Sequence, residues 1–119
     1  MASRDSSDLL TQMKEIKDVP VLAAIVDAPD AKTLRDFGDK LRDRMSSGII
    51  LLACRDEGKA MLLCIVTKDL AGRYHAGNLI KEIAPLIGGS GGGRPDMAQA
   101  GGTKPENLQD ALAKLEQLI

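Results

Sequence analysis

The sequence predicts an α/β fold: a small mixed β-sheet of three strands, with room for one or two more, and helices packed on it. Three observations carry this expectation. "VPVLAAIV", Val19 to Val26, is an unbroken apolar run between polar segments, the pattern of a strand covered on both faces. "GIILLAC" and "AMLLCIVT" are two more such runs joined by the short polar "RDEGK", which predicts a hairpin of Ile49 to Cys54 with Ala60 to Thr67. Elsewhere the apolar residues switch to spacings of three and four, the period of a helix with one face on a core.

The opening "SSDLLTQMKEI" has serines suited to capping and places Leu9, Leu10, Met13 and Ile16 on one helical face. Residues 1–18 are read as the end of a helical segment and 19–119 as the globular domain. After the first strand, Asp30 is the predicted cap of a helix that aligns Leu34, Phe37, Leu41 and Met45. Beyond the hairpin, "AGNLIKEIAPLIGG" continues a helical stripe through Leu79, Ile80, Ile83 and Ile87. Pro85 is expected to bend its last turns and Gly88 to stop it. The closing "TKPENLQDALAKLEQLI" sets Thr103 and Glu106 at capping-box spacing, with Pro105 in the first turn. Leu108, Ala111, Leu112, Leu115 and Leu118 then form the stripe.

Composition bounds the function. The chain has 119 residues, 44% hydrophobic and 28% charged, with a net charge of -1, which suits one globular domain and gives no bulk attraction to nucleic acid or acidic membranes. An anion site must therefore be local. Cys54 and Cys64 lie inside apolar runs and read as buried thiols of a reducing compartment. No stretch approaches the ~20 apolar residues of a membrane span, and the N-terminus lacks a signal-peptide core, so the expected location is cytoplasmic. The single His75, without paired cysteines or a second His, supplies no zinc ligand set, and no nucleophile stands with a base and an orienting group. "GRYHAGN" has P-loop glycine spacing, but Asn78 and Leu79 stand where Lys and Ser/Thr are required. "GGSGGG" follows a helix rather than a strand and so fails as a dinucleotide fingerprint. No catalytic residue, metal or cofactor is expected in this chain.

The densest feature is "IGGSGGGRPDMAQAGG", which holds seven of the chain's 12 glycines between Ile87 and Gly102. Two predicted helices flank it and its middle is not linker-like, so an ordered loop is expected. Bare backbone followed by the forked cation of Arg94 suits a phosphate. A tight crossing over the sheet, with Arg94 paired to Asp96, explains the same residues. The residues by themselves leave both readings open. Lys68, Arg73, Tyr74, His75 and Lys81 precede or lie on the helix leading into the loop, and supply further cations and a stackable ring. One Phe and one Tyr are too few for the aromatic platforms of most single-strand binders, so a nucleic-acid partner would be met through backbone and shape.

"GNLIKEIAPLIGGSGGGRPDMAQAGG", residues 77–102, resembles the C-terminal domain of alanyl-tRNA synthetases. More widely, it resembles the DHH-associated nucleic-acid-binding domain that follows the catalytic half of DHH-type phosphoesterases and single-strand exonucleases. In the phosphoesterase branch a His follows the glycine triplet; Arg94-Pro95 stands here, which looks like the synthetase branch. The resemblance implies a module that binds tRNA, suspected to be alanine-specific, at its elbow. It also implies contact with the other domains of a parent synthetase, helping to link aminoacylation and editing. The parent would be a ligase, while this fragment alone would catalyse nothing, since the family's editing metal site needs several His and Cys ligands. Carried over by motif, Gly91, Gly92, Gly93 and Arg94 are the RNA-binding positions. A nucleic-acid-binding domain of a DHH phosphoesterase or exonuclease, and a protein-interaction module, are the alternatives.

Overall fold

The computed structural model describes residues 14–17, 19–26, 31–44, 47–56 and 58–119. Its apolar runs build the centre of one six-stranded sheet. Strand β1 (Lys14–Ile16) and β2 (Val19–Ile25) are followed by helix α1 (Ala31–Arg44), and β3 (Ile49–Asp56) and β4 (Lys59–Val66) form the predicted hairpin. Helix α2 (Ala76–Ile83) passes into a 3-10 turn (Ala84–Ile87). Then come β5 (Ser90–Gly93), β6 (Met97–Gly102), a second 3-10 turn (Pro105–Asn107) and helix α3 (Leu108–Leu118). The strand order is β1-β2-β3-β4-β6-β5, with β2 and β3 parallel across α1 and every other neighbouring pair antiparallel.

Both faces of the central strands are covered, which is why their sequences are apolar throughout rather than alternating. On β4 the two faces separate by parity. Leu63 and Ile65 join Leu22, Leu34, Leu41, Ile50 and Leu52 in the core beneath α1. Leu62 and Cys64 join Leu51, Ile80, Ile83, Leu108 and Leu115 in the core beneath α2 and α3. Gly38 lets α1 sit close on the first face: a Cβ there would lie 2.6 Å from Leu63 Cδ2 and 2.8 Å from Ile65 Cδ1. No helix among the described residues is long and apolar enough to cross a membrane.

Neither Cys54 nor Cys64 forms a disulfide, and both are buried, as their sequence context predicts. Burial pushes the Cys64 thiol up to about 12. At about pH 8 the native thiol is therefore protonated and shielded, and alkylation should proceed only as fast as the domain opens. Labelling followed by mass spectrometry checks this. Cys64 modification in the folded chain at the rate of a small free thiol would contradict it.

Three local expectations change. Residues 14–16, expected at the end of the opening helix, are a strand antiparallel to β2, with Lys14 opposite Val21. The turn between the strands passes through Lys17 at φ 51. The period of three and four carried through Ile16 yields to pairing with a strongly apolar neighbour. Leu9, Leu10 and Met13 lie outside the described residues, as do Asp30 and Met45. The glycine stretch is ordered, but as the β5–β6 hairpin rather than a loop, which takes the sheet to six strands. The Thr103–Glu106 capping box does not cap α3. The helix starts at Leu108 after the 3-10 turn, Asn107 makes no side-chain cap bond, and its Nδ2 donates instead to the Leu86 carbonyl at 2.8 Å. At Pro85 the α-helix gives way to the tighter 3-10 turn, and Gly88 stops it at φ 70 with its N–H on the Ala84 and Pro85 carbonyls.

The segment between β4 and α2 is tied down by hydroxyls. Thr67 Oγ1 accepts from the Gly48 N–H at 3.0 Å and donates to Asp69, which also accepts from Ser47 Oγ. The Ser47 hydroxyl, then that of Thr67, holds the Asp69 carboxyl below its usual value. This anchored turn carries Lys68 and leads into Arg73, Tyr74 and His75.

Candidate nucleic-acid interface

The glycine hairpin lies at the edge of the sheet, and hydrogen bonds on either side fix how its backbone faces. The Val66 N–H donates to the Asp96 carbonyl at 2.9 Å, so the even-numbered residues of β6 are those bonded to β4. The Arg94 N–H donates to the Met97 carbonyl at 2.8 Å, so the odd-numbered residues of β6 turn toward β5. By the same alternation, the backbone polar groups of Gly91 and Gly93 point away from β6.

The hairpin turn is clamped by the start of α2. Ala76 N–H donates to the Pro95 carbonyl at 2.8 Å and Gly77 N–H to the Arg94 carbonyl at 3.2 Å. His75, read in the sequence as a surface candidate, is the N-cap of this helix: its Nδ1 accepts from the Asn78 N–H at 3.2 Å. Leu79 N–H returns to the His75 carbonyl. All four leading amides of α2 are therefore used inside the protein, and this helix end is not an open anion cradle. Any anion must be met by side-chain cations and by the hairpin's own surface.

The glycines divide into two groups. At Gly91 an added Cβ would fall 2.6 Å from Ala100 Cα and closer still to Ala100 Cβ and the Gln99 carbonyl oxygen; at Gly89 it would strike the Gly101 carbonyl. These glycines, with Gly93 and Gly102, are required by the close approach of backbone to backbone. Gly92 and Gly101 are different. A Cβ at Gly92 would meet only Lys81 Cε at 3.5 Å, and one at Gly101 only the Ala60 carbonyl at 3.8 Å, both ordinary contacts. Pairing of Ser90 with Gly101 and Gly92 with Gln99 puts these four residues on the α1 side of the hairpin. There α1 reaches only as far as a groove lined by Leu34, Met61, Ser90, Gln99 and Gly101. The fold leaves this strip bare without needing it bare.

Arg94 stands beside the strip with its side chain 70% exposed, at 4.0 Å from the Asp96 carboxylate. At that separation and exposure the pair is weak and leaves the guanidinium available to a partner. Lys81 runs its stem along Gly92, so this sequence candidate joins the hairpin directly. Arg73 lies over the Tyr74 ring at 5.5 Å, and Tyr74 packs partly on the core beneath α2, so its ring is a support for Arg73 rather than a free stacking platform. Lys68 is exposed in the hydroxyl-tied turn, two residues beyond the Val66 contact with Asp96. Gly101 was not singled out in the sequence, although it stands within the same "AQAGG" run.

The edge of this α/β module presents bare backbone beside exposed cations, next to two open grooves. The chain belongs to the DHHA1 domain family, whose model matches residues 18–119. Its full length is 52% identical to part of the alanine–tRNA ligase of Desulforamulus reducens, covering 14% of that protein. It is 54% identical to that of Roseiflexus castenholzii over 105 residues, 87% of this chain and 12% of the relative. The chain thus spans about one seventh of the length of these relatives. Among solved structures it resembles the C-Ala domain of Aquifex aeolicus alanyl-tRNA synthetase, with a TM-score of 0.83 and 26% identity over 89% of this chain and 96% of that one. A DHH-domain protein described as a member of the s1p family of ribosomal proteins shares the fold, with a TM-score of 0.59 and 15% identity over 94% of this chain and 28% of that one. Within the family, then, the chain is of the C-Ala type.

Proposed function

We propose that this chain is the tRNA-binding C-terminal domain of a cytoplasmic alanyl-tRNA synthetase, a ligase that joins alanine to its tRNA. The domain contacts the tRNA elbow and so helps bring the aminoacylation and editing domains onto one tRNA; it uses no cofactor and catalyses nothing by itself. The observation that carries this reading is the strip of Gly92 and Gly101 beside exposed Arg94: glycines that packing does not require are explained by a partner that touches main chain. Arg94-Pro95 after the triplet, and likeness to alanine–tRNA ligases along the whole chain, favour this over the DHH phosphoesterase reading.

Two substitutions test it. Arg94→Ala removes a largely exposed side chain and should leave the melting curve unchanged. Affinity for an alanine tRNA transcript should weaken by about tenfold, as for a charge-assisted contact of about 1.5 kcal/mol. Gly101→Leu has room to fold but roughens the bare strip, and should weaken binding as well. If both variants remain folded and bind the transcript as the unaltered chain does, the hairpin is not the RNA surface.

A further inference from the structure

At the end of the hairpin away from Arg94, a groove of about 390 Å³ opens between the starts of β4 and β5. Its lining includes Lys59, Met61, Ser90 and Thr103 together with glycines of the hairpin and the turn before it, and none of the lining residues is acidic. Lys104 borders it: its stem packs on Gly88, with Cγ 3.0 Å from where a Cβ would stand, and the Lys104 N–H holds the Ile87 carbonyl at 2.9 Å. Lys59, Lys104, Ser90 and Thr103 are all exposed. Two cations and two hydroxyls thus border a groove whose other lining residues are four glycines, Ala60 and Met61, in a chain whose net charge is -1. A flexible ammonium acts as a point charge toward phosphate, and hydroxyls bond its oxygens.

We propose that Lys59 and Lys104 each meet a phosphodiester at this groove, on the same RNA whose backbone Arg94 meets at the hairpin turn, so that one strand is followed along β5 with Lys81 between the two ends. Ser90 and Arg94 are four residues apart, ~13 Å along an extended strand, the reach of a short run of nucleotides. The occupant is an RNA backbone rather than a small anion because the groove is open and continuous with the Gly92–Gly101 strip through their shared Met61, Ser90 and Gly101. The inference rests on the tRNA reading above and adds to it a second contact, at the other end of the hairpin from Arg94.

The test is fluorescence-anisotropy titration of an alanine tRNA transcript with the 119-residue chain across a range of salt concentrations, each variant being checked by a melting curve. Lys59→Ala with Lys104→Ala should weaken binding at low salt. It should also make the fall in affinity between about 50 and 200 mM salt shallower by roughly tenfold, the expectation for two lost phosphate contacts. Lys59→Arg with Lys104→Arg should bind as the unaltered chain does. So should a control with Lys40→Ala and Lys114→Ala, which loses the same charge at residues that do not line the groove. An unchanged salt dependence in the alanine pair, while Arg94→Ala lowers it, overturns the groove and leaves the tRNA reading standing. Loss in the arginine pair as great as in the alanine pair also overturns it, since the lysines would then act by shape. If Arg94→Ala and the alanine pair are both without effect, the tRNA reading falls with it.

Discussion

Gly91→Ala should destabilise the domain by about 3 kcal/mol, near the upper end of the range for overpacking a close-fitted site. Gly92→Ala, one residue on, should change stability by less than about 1 kcal/mol. The difference has a geometric cause. A methyl at Gly91 is driven into Ala100 and the Gln99 carbonyl, which are β6 backbone or fixed to it and cannot rotate aside. At Gly92 the neighbour is the stem of Lys81, at 3.5 Å and free to swing into solvent. Relief at Gly91 requires β5 to leave β6, which also pulls the hairpin turn from its bonds to Ala76 and Gly77. Urea denaturation of the two variants beside the unaltered chain measures this, and melting midpoints should differ by roughly 10 °C. Equal stabilities would mean that β5 does not lie against β6 as described.

The second large effect is in the core beneath α1. Leu63→Ala should lose about 3 kcal/mol, since the side chain is fully buried on a central strand and its removal opens a cavity. Gly38→Ala places a methyl where Leu63 Cδ2 and Ile65 Cδ1 now lie, and the gain in helix propensity is offset by the displacement of both side chains. Made together, the two changes should partly compensate: the new methyl occupies space that Leu63 has vacated and keeps the helix preference of alanine. The double variant should be more stable than the sum of the single effects implies by about 1 kcal/mol or more, the size of coupling seen between touching residues. Strict additivity in a double-mutant cycle would show that α1 is not seated on Leu63 through Gly38.

The parts of this fold that could be read from the sequence are those in which apolar side chains run unbroken or recur at a helical spacing. Val19–Ile25 and the β3–β4 hairpin announced themselves because burial on both faces makes a strand apolar throughout, and the three helix stripes because burial on one face selects apolar residues at the period of the helix. Strand β5 has one serine and three glycines, so there is nothing to alternate, and strand propensity counts against it. Its status as a strand depends on β6, and that of β6 on β4, whose partner residues Ala60 and Gly102 are far apart along the chain. Strand β1 was hidden in a helix-like spacing for the same reason: pairing with β2 decided it.

The candidate site divides in the same way. Gly91, Gly92, Gly93 and Arg94 were legible as a run of neighbours, and Lys81 from its place on the helix before them. Lys59 and Lys104 gave no local signal, because the sheet alone brings them to one groove. His75 looked like a surface group, yet its imidazole nitrogen was needed at home to close the first turn of α2. Aspartate, asparagine, serine and threonine are the side chains usually sought at that position, which is why the cap was missed.

The two bonds from Ala76 and Gly77 to the hairpin turn have a thermodynamic consequence for any partner. A glycine-rich edge standing free would sample many backbone states, and a ligand would have to select one, losing association free energy for each residue it immobilised. Here that ordering takes place during folding, when the turn and α2 become a single body backed by Ile80 and Ile83 in the core. On encounter only the exposed side chains remain to be ordered, about 0.5–1.5 kcal/mol for each one immobilised. Docking can therefore proceed without waiting for a loop to close, and differences in affinity among hairpin variants should appear mainly as differences in residence time.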